Sequence, residues 1–422
     1  KALWMAFSSL RKYFSSSQMA IGSRLQIHSL MALAAIALAA SSVDVSEVVL
    51  SNLALPLDSS GRELLTGEAD VLQHDGAYYF YFNNWGDCPG HDCCETSAGC
   101  WSCCMRRPRP APLPGPPDAD CVDFFNHTVV AYRSADLVRF EALGAVFIPG
   151  KFLSLREAIV YRPQVLYNGG RREFVLWYKV LAPSYPESSR HWYGVARADS
   201  PAGPFEVVVN RVPGVDGVVS DHFLFQDSDS SAYLTRYPSV QRLDSSFMGL
   251  ERSKVTLPSP ASWEAPIMFR KDHRGKTHYF VMAGHNCCAC KGGSNAFVMV
   301  AVGSPLAQWT YLGDINENQS QCVLQHPPVC TKGAHSPLQW TTHAQTSTVF
   351  AVQEAGRTEP SVVMLSNQWV SATGPRHARN ADLLYWNVVR WNDTTGMPLN
   401  IEWSDVVKLA LPLHRSDNVL LA

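Results

Sequence analysis

From Glu68 onward the apolar residues of this chain come in short runs rich in Val, Tyr, Phe and Trp. Each run is bounded by Gly, Pro, Asp or Asn, and no segment between them holds a helical period for long. Runs of this kind read as strands. Clear examples are 77–83 (AYYFYFN), 128–133 (TVVAYR), 173–180 (EFVLWYKV), 193–198 (YGVARA), 232–236 (AYLTR), 277–283 (THYFVMA), 296–302 (AFVMVAV), 347–352 (STVFAV) and 383–391 (LLYWNVVRW). Several are apolar on both faces, so both faces of their sheets must be covered.

The strands recur in a coarse repeat: a turn acid, an aromatic pair after a Gly turn, then a strand ending in a Pro-containing loop. Ser200-Pro201-Ala202-Gly203-Pro204-Phe205 and Ser304-Pro305-Leu306-Ala307-Gln308-Trp309 are its two clearest copies. Periods of roughly 40 to 70 residues with about four strands each predict propeller blades. Five blades fit, near 66–148, 155–213, 217–258, 262–313 and 335–412, and the competing all-β arrangement is a sandwich. The predicted fold class is therefore an all-β, five-bladed β-propeller filling 43–422, with a Cys- and Pro-rich insertion at 87–121 in blade one. That insertion cannot supply a central strand, because Pro lacks a ladder donor. It reads as a stapled surface loop, and a second loop at 286–295 (NCCACKGGSN) is a candidate for disulfide linkage to it.

Composition narrows the partners. With 46% hydrophobic and 17% charged residues in 422, the chain suits a large folded core. A formal charge of −2 and no basic run longer than Arg106-Arg107 exclude a nucleic-acid footprint. Residues 1–42 read as an upstream extension and a signal peptide, with Arg24 before the apolar run Leu30 to Ala40. That run falls short of the roughly 20 residues that span a bilayer. A secreted protein is expected, with an uncleaved anchor in the secretory lumen as the alternative. Sequons at Asn126, Asn318 and Asn392 agree with that route. The 12 cysteines cluster at Cys88 to Cys121 and Cys287 to Cys330, and an oxidising compartment favours disulfides over zinc thiolates.

Carboxylates at the starts of inner strands are the candidate chemistry. Glycoside hydrolysis needs one carboxyl kept protonated for the leaving oxygen and a second group to activate water, about 6.5–9.5 Å apart for inversion. Glu68 and Asp70 in blade one, Asp221 in blade three and Glu264 in blade four stand at such positions. The segment Ser220-Asp221-His222-Phe223-Leu224-Phe225-Gln226-Asp227-Ser228-Asp229 resembles one found in glycoside hydrolase family 43, and Trp263-Glu264-Ala265-Pro266-Ile267-Met268-Phe269-Arg270-Lys271 resembles that family's acid segment. The resemblance implies Glu264 as general acid and Asp221 as the carboxylate that raises its pKa and orients it. Tyr161-Arg162-Pro163-Gln164-Val165-Leu166-Tyr167-Asn168 and His343-Ala344-Gln345-Thr346-Ser347-Thr348 are similar to segments of the exo-β-1,3-galactanase branch, in which a Gln, here Gln345, replaces the usual base. Tyr161 stands where that branch has Glu. The base is left among Glu68, Asp70 and Gln345.

Aromatic rings pack on the C–H faces of sugars, which makes Tyr79, Trp85, Trp177, Trp369 and Trp386 candidate platform residues, with Arg162 as a hydroxyl ligand. The resemblance requires no cofactor but allows a structural Ca2+ at the propeller axis near His343. The expected reaction is single-displacement hydrolysis of a β-galactan, arabinan or xylan-like polysaccharide or oligosaccharide by a monomer without stable membrane insertion. The alternative is a catalytically weakened propeller acting as an extracellular glycan-binding module.

Overall fold

The computed structural model describes residues 45–84, 127–151, 159–182, 186, 189, 191–215, 219–284, 294–316, 342, 344–368 and 382–412. Strand β1 (Val45–Ser51) precedes five antiparallel sheets. Blade one contains β2 (Ala69–His74), β3 (Ala77–Asn84), β4 (Thr128–Ser134) and β5 (Glu141–Phe147); blade two contains β6 (Ile159–Asn168), β7 (Glu173–Leu181), β8 (His191–Ala198) and β9 (Glu206–Val209). Blade three is β10 (His222–Gln226), β11 (Ala232–Arg236), β12 (Ser239–Leu243) and β13 (Leu250–Thr256). Blade four is β14 (Glu264–His273), β15 (Lys276–Gly284), β16 (Phe297–Val302) and β17 (Thr310–Asp314). Among the described residues blade five has three strands, β18 (Gln345–Val352), β19 (Ser361–Asn367) and β20 (Leu384–Val388), while β21 (Val406–Pro412) pairs with β1. Sheet follows sheet in chain order, and the first strands touch in the cycle β2, β6, β10, β14, β18 and back to β2. That closed circuit of five inner strands is a propeller, and the sandwich is excluded.

Period-two alternation builds the blade interfaces. Along β7, Phe174, Leu176, Tyr178 and Val180 face blade one, while Val175 and Trp177 face blade three. Along β3, Tyr78, Phe80 and Phe82 face blade five, while Tyr81 faces blade two. Each such residue, fully buried, contributes roughly 1.5–3 kcal/mol, so stability is spread around the ring. The two predicted loop copies are the same turn: Gly203 N donates to Ser200 O and Ala307 N to Ser304 O, and the following Phe205 and Trp309 are both buried. Gly203 has a φ of +68°, and an added Cβ would lie 2.8 Å from Val146 O.

Two expectations for blade five are corrected. The run 383–391 is a strand only over Leu384–Val388, beyond which Trp391 bridges Pro398. The blade does not extend to 412, because β21 finds its partner in β1 instead of β20. Asn52, just after β1, seals the edge that β20 leaves: its Nδ2 donates to Trp386 O at 3.0 Å, and its Oδ1 accepts from Trp386 N at 2.6 Å. Cys88 to Cys121, the second cysteine loop, Cys322 and Cys330 lie outside the described residues, as do 1–42 and the 87–121 insertion. Among the described residues, no helix is long and apolar enough to cross a membrane.

Candidate active site

Each inner strand carries a polar residue at or near its start: Glu68 before β2, Arg162 within β6, Asp221 before β10, Glu264 opening β14 and Gln345 opening β18. Such groups are tolerated in a buried ring only if paired, and the pairs run from blade to blade. Asp70 Oδ2 accepts from Val165 N at 2.7 Å, and its Oδ1 accepts from Thr348 Oγ1 at 3.1 Å. Gln164 Oε1 accepts from Leu224 N at 3.3 Å, and Ala69 N donates to Ser347 Oγ at 2.6 Å.

Two of these strands share a backbone device. Arg162 and Ala265 each precede a proline, each has a φ of +50°, and each sits in a β-bulge, between Tyr161 and Gln164 in β6 and between Glu264 and Ile267 in β14. Left-handed backbone at a non-glycine residue costs of order 1–3 kcal/mol and is found where a site over-determines it. Bulges re-aim the neighbouring side chains. In β6 the device sends the Arg162 side chain into the cluster. Its Nε lies 3.2 Å from Glu68 Oε1 and its Nη2 lies 3.2 Å from Asp221 Oδ2, while its Nη1 donates to Thr346 O at 3.2 Å. Its backbone N–H donates to Glu68 Oε2 at 2.9 Å. In β14 the device turns the Ala265 N–H toward Asp221 Oδ2 at 3.3 Å, while Thr346 Oγ1 donates to Ala265 O.

Sequence reasoning missed Lys179. It reaches Asp221 Oδ1 from β7 at 3.0 Å and lies 5.7 Å over the Tyr161 ring. The available signal was one cation inside an otherwise apolar strand.

The carboxyls of this cluster are driven apart. Burial alone would raise Asp221, but the charges of Lys179 and Arg162 outweigh it and hold the carboxyl well below the usual aspartate range. Glu264 keeps its side chain open to solvent, yet the protein packed around it removes enough hydration to push the carboxyl to about 7, with the negative charge of Asp221 adding to the rise and Lys179 and Arg162 opposing it. Burial also raises Glu68, against the pull of Arg162. Burial lifts Asp70 to about 6 despite its hydrogen bonds from Val165 N and Thr348. His222, fully buried beside Asp221, is pushed down to about 3 by burial and is neutral at physiological pH. One exposed carboxyl that still holds its proton near neutrality, beside one fixed as an anion, is the division of labour of an acid and its modulator.

Of the predicted site residues, the structure brings Glu264, Asp221, Glu68 and Arg162 into one network, and Gln345 opens the adjoining strand as a buried side chain. Asp70 sits deeper and latches blades one, two and five. Three aromatic assignments are corrected. Trp177 is fully buried between blades two and three, its Nε1 donating to Phe247 O at 2.6 Å, and Trp386 is buried among Phe80, Phe350 and Asn52. Tyr79 pairs with Leu72 well along β3 and packs half-buried at the interface with blade two. All three rings belong to blade packing. Trp85, Trp369 and His343 lie outside the described residues. Among the described residues, no group of three His, Cys, Asp or Glu side chains is placed to hold a metal ion.

No family model matches the sequence, and no curated protein matches it. Solved structures do match in fold. A GH43 β-1,3-galactosidase with galactodeoxynojirimycin is 18% identical, with a TM-score of 0.60 over 84% of this chain and 99% of that one. An exo-β-1,3-galactanase from Clostridium thermocellum is 17% identical, with a TM-score of 0.61 over 86% of this chain and 68% of that one. An exo-β-1,3-galactanase from Phanerochaete chrysosporium, solved with β-1,3-galactotriose, is 19% identical, with a TM-score of 0.55 over 85% and 67%. A ring of five blades carrying its carboxyls at one axial mouth, superposable on these enzymes over most of its length, has the five-bladed β-propeller fold of glycoside hydrolase family 43.

Proposed function

We propose that this chain is a secreted inverting glycoside hydrolase in which Glu264 protonates the departing sugar oxygen. The observation that carries the reading is the pairing of a solvent-open Glu264, raised to about 7, with an Asp221 held ionised by Arg162 and Lys179. A general acid must carry its proton at working pH, and one with a pKa near neutrality does so while still releasing it readily. Substrate choice follows the structural neighbours, some of them solved with galactose or β-1,3-galactotriose, so a β-1,3-linked galactan oligosaccharide is the first substrate to try, ahead of arabinan or xylan-like chains.

The base is left among Glu68, Asp70 and Gln345, all three of them buried. Glu68 has both oxygens turned to Arg162, and both oxygens of Asp70 accept hydrogen bonds deep in the ring. Neither is placed to take a proton from water. The resemblance to the exo-β-1,3-galactanase branch gives the role of holding the attacking water to Gln345, buried at the start of its strand. Secretion is supported by the exposed sequon turn at Asn392, whose Oδ1 accepts from Thr394 N and Thr395 N.

The test is galactose release from β-1,3-galactooligosaccharides, followed by proton NMR. Inversion delivers the α-anomer first. A folded wild-type protein that releases no sugar from a broad glycan panel overturns the enzyme reading. The engaged oxygens of Glu68, Asp70 and Asp221 favour one second reading, a glycan-binding propeller without turnover, and calorimetric binding of the same oligosaccharides with no hydrolysis would establish it.

A further inference from the structure

Lys179 has no part in the acid and water roles assigned above, yet it is built into the site at a cost. It stands opposite Tyr161 in the β6–β7 register, with its side chain 14% exposed, flanked in β7 by the buried Tyr178 and Val180. Removing an ammonium from water is expensive unless a charge partner is close. Its partner, Asp221, already has a cation in Arg162 and a backbone donor in Ala265. Neutralising Asp221 therefore does not by itself explain a second buried cation.

Counting charge does. The cluster holds three carboxyls, Glu68, Asp221 and Glu264, and two cations, Arg162 and Lys179. With both cations in place, a single proton brings the cluster to neutrality; with Lys179 gone, a second proton is needed. Glu68 and Asp221 each make an ion pair, whereas among the described residues Glu264 makes none. We propose, building on the acid role of Glu264, that Lys179 is a positioning residue: by occupying Asp221 it confines the cluster's one exchangeable proton to Glu264, the carboxyl open to the sugar. The groups facing Glu264 are Glu68 from blade one, Arg162 and Lys179 from blade two, and Asp221, with the neutral His222 behind it, from blade three; from blade five, uncharged Thr346 bonds to the carbonyl of the adjacent Ala265.

The experiment is a carbon-13 NMR titration of glutamate carboxyls between pH 4 and 9, on the full chain with Glu264→Gln identifying the signal. The wild type should titrate near pH 7. Lys179→Met should raise the midpoint by about one unit, a tenfold change in the protonation equilibrium, from loss of one nearby cation. Lys179→Arg, which keeps the charge, should stay within about 0.3 units of wild type on the same grounds. A folded Lys179→Met protein with the wild-type midpoint overturns the proposal. If Lys179→Met does not fold, nitrogen-15 spectra of the wild-type lysine ammonium groups decide: a Lys179 signal that steps with Glu264 and loses the step in Glu264→Gln supports the proposal, and a signal without that step overturns it. A wild-type protein lacking any glutamate step near neutrality fails the acid reading itself, a different outcome from an unmoved variant. Where hydrolysis is measurable, the alkaline limb of kcat/KM should move with the NMR midpoint.

Discussion

Blades two and four carry the same irregularity in their inner strands and use it for opposite ends. In both, a residue with a φ of +50° stands before a proline inside a bulge. In blade two that residue is Arg162, which bonds or pairs with groups from blades one, three and five. In blade four it is Ala265, a buried residue with only a methyl group, and its neighbour Glu264 stands open to solvent. The bulge is thus a way of aiming side chains, and residue identity decides whether the aimed position locks the ring or works on a ligand. A site needs both: a clamp that makes Asp221 an anion and a carboxyl that the clamp does not pair with.

The largest expected effect breaks the blade-four half. Glu264→Gln should lower kcat on a β-1,3-galactooligosaccharide by about 100- to 10,000-fold, the usual worth of a general acid, with an unchanged circular dichroism spectrum. Because the folded state holds the Glu264 proton more tightly than the unfolded chain does, wild-type stability falls as pH rises from the ordinary glutamate range through about 7. The Gln variant lacks that loss, so its relative stability should increase over the same window in urea denaturation.

Breaking the blade-two half gives a different signature. Arg162→Met leaves the buried Glu68 without its ion partner and Asp221 with Lys179 alone, and should cost about 3–5 kcal/mol of unfolding free energy by urea denaturation. Next in size is the pH response of the intact enzyme: kcat/KM should fall about tenfold per unit above pH 7 as Glu264 loses its proton. A limb centred below pH 5 would remove Glu264 as the group responsible. The smallest effect sharpens the comparison directly. Ala265→Gly relieves a left-handed alanine, worth about 1–2 kcal/mol, against a glycine entropy cost of about 0.5–1 kcal/mol. It should raise stability by at most about 1.5 kcal/mol in thermal unfolding, whereas Arg162→Gly, at the same φ, should lower it several-fold more.

The strands that sequence reveals best are the second and third of each blade, because both of their faces are buried and they read as apolar runs; Ala232–Arg236 is found to the residue. The carboxyls of blades three and four stand out only through the segments around them, which resemble those of glycoside hydrolase family 43; as strand-opening acids alone they look like ordinary turn residues. What the sequence conceals is direction. Trp177 and Trp386 look like sugar platforms by residue type, but the parity of their positions points them between blades. Glu68, Asp70 and Gln345 look interchangeable as bases until their partners are known. Lys179 is masked by the apolar run around it, and the β1–β21 pair joins segments more than 350 residues apart, a distance across which no local pattern speaks.

Arg162 ties three blades together through the same contacts that fix the charge of Asp221, so changes at Arg162 and at Glu264 are expected to show themselves differently. Drift at Arg162 would strip support from three neighbouring blades and show up as less protein before it showed up as less activity. Drift at Glu264, whose carboxyl supports no other blade, would leave a sound ring with a silent mouth. A variant of this ring that holds glycans without cleaving them is therefore expected to keep the arginine and to lack the acid.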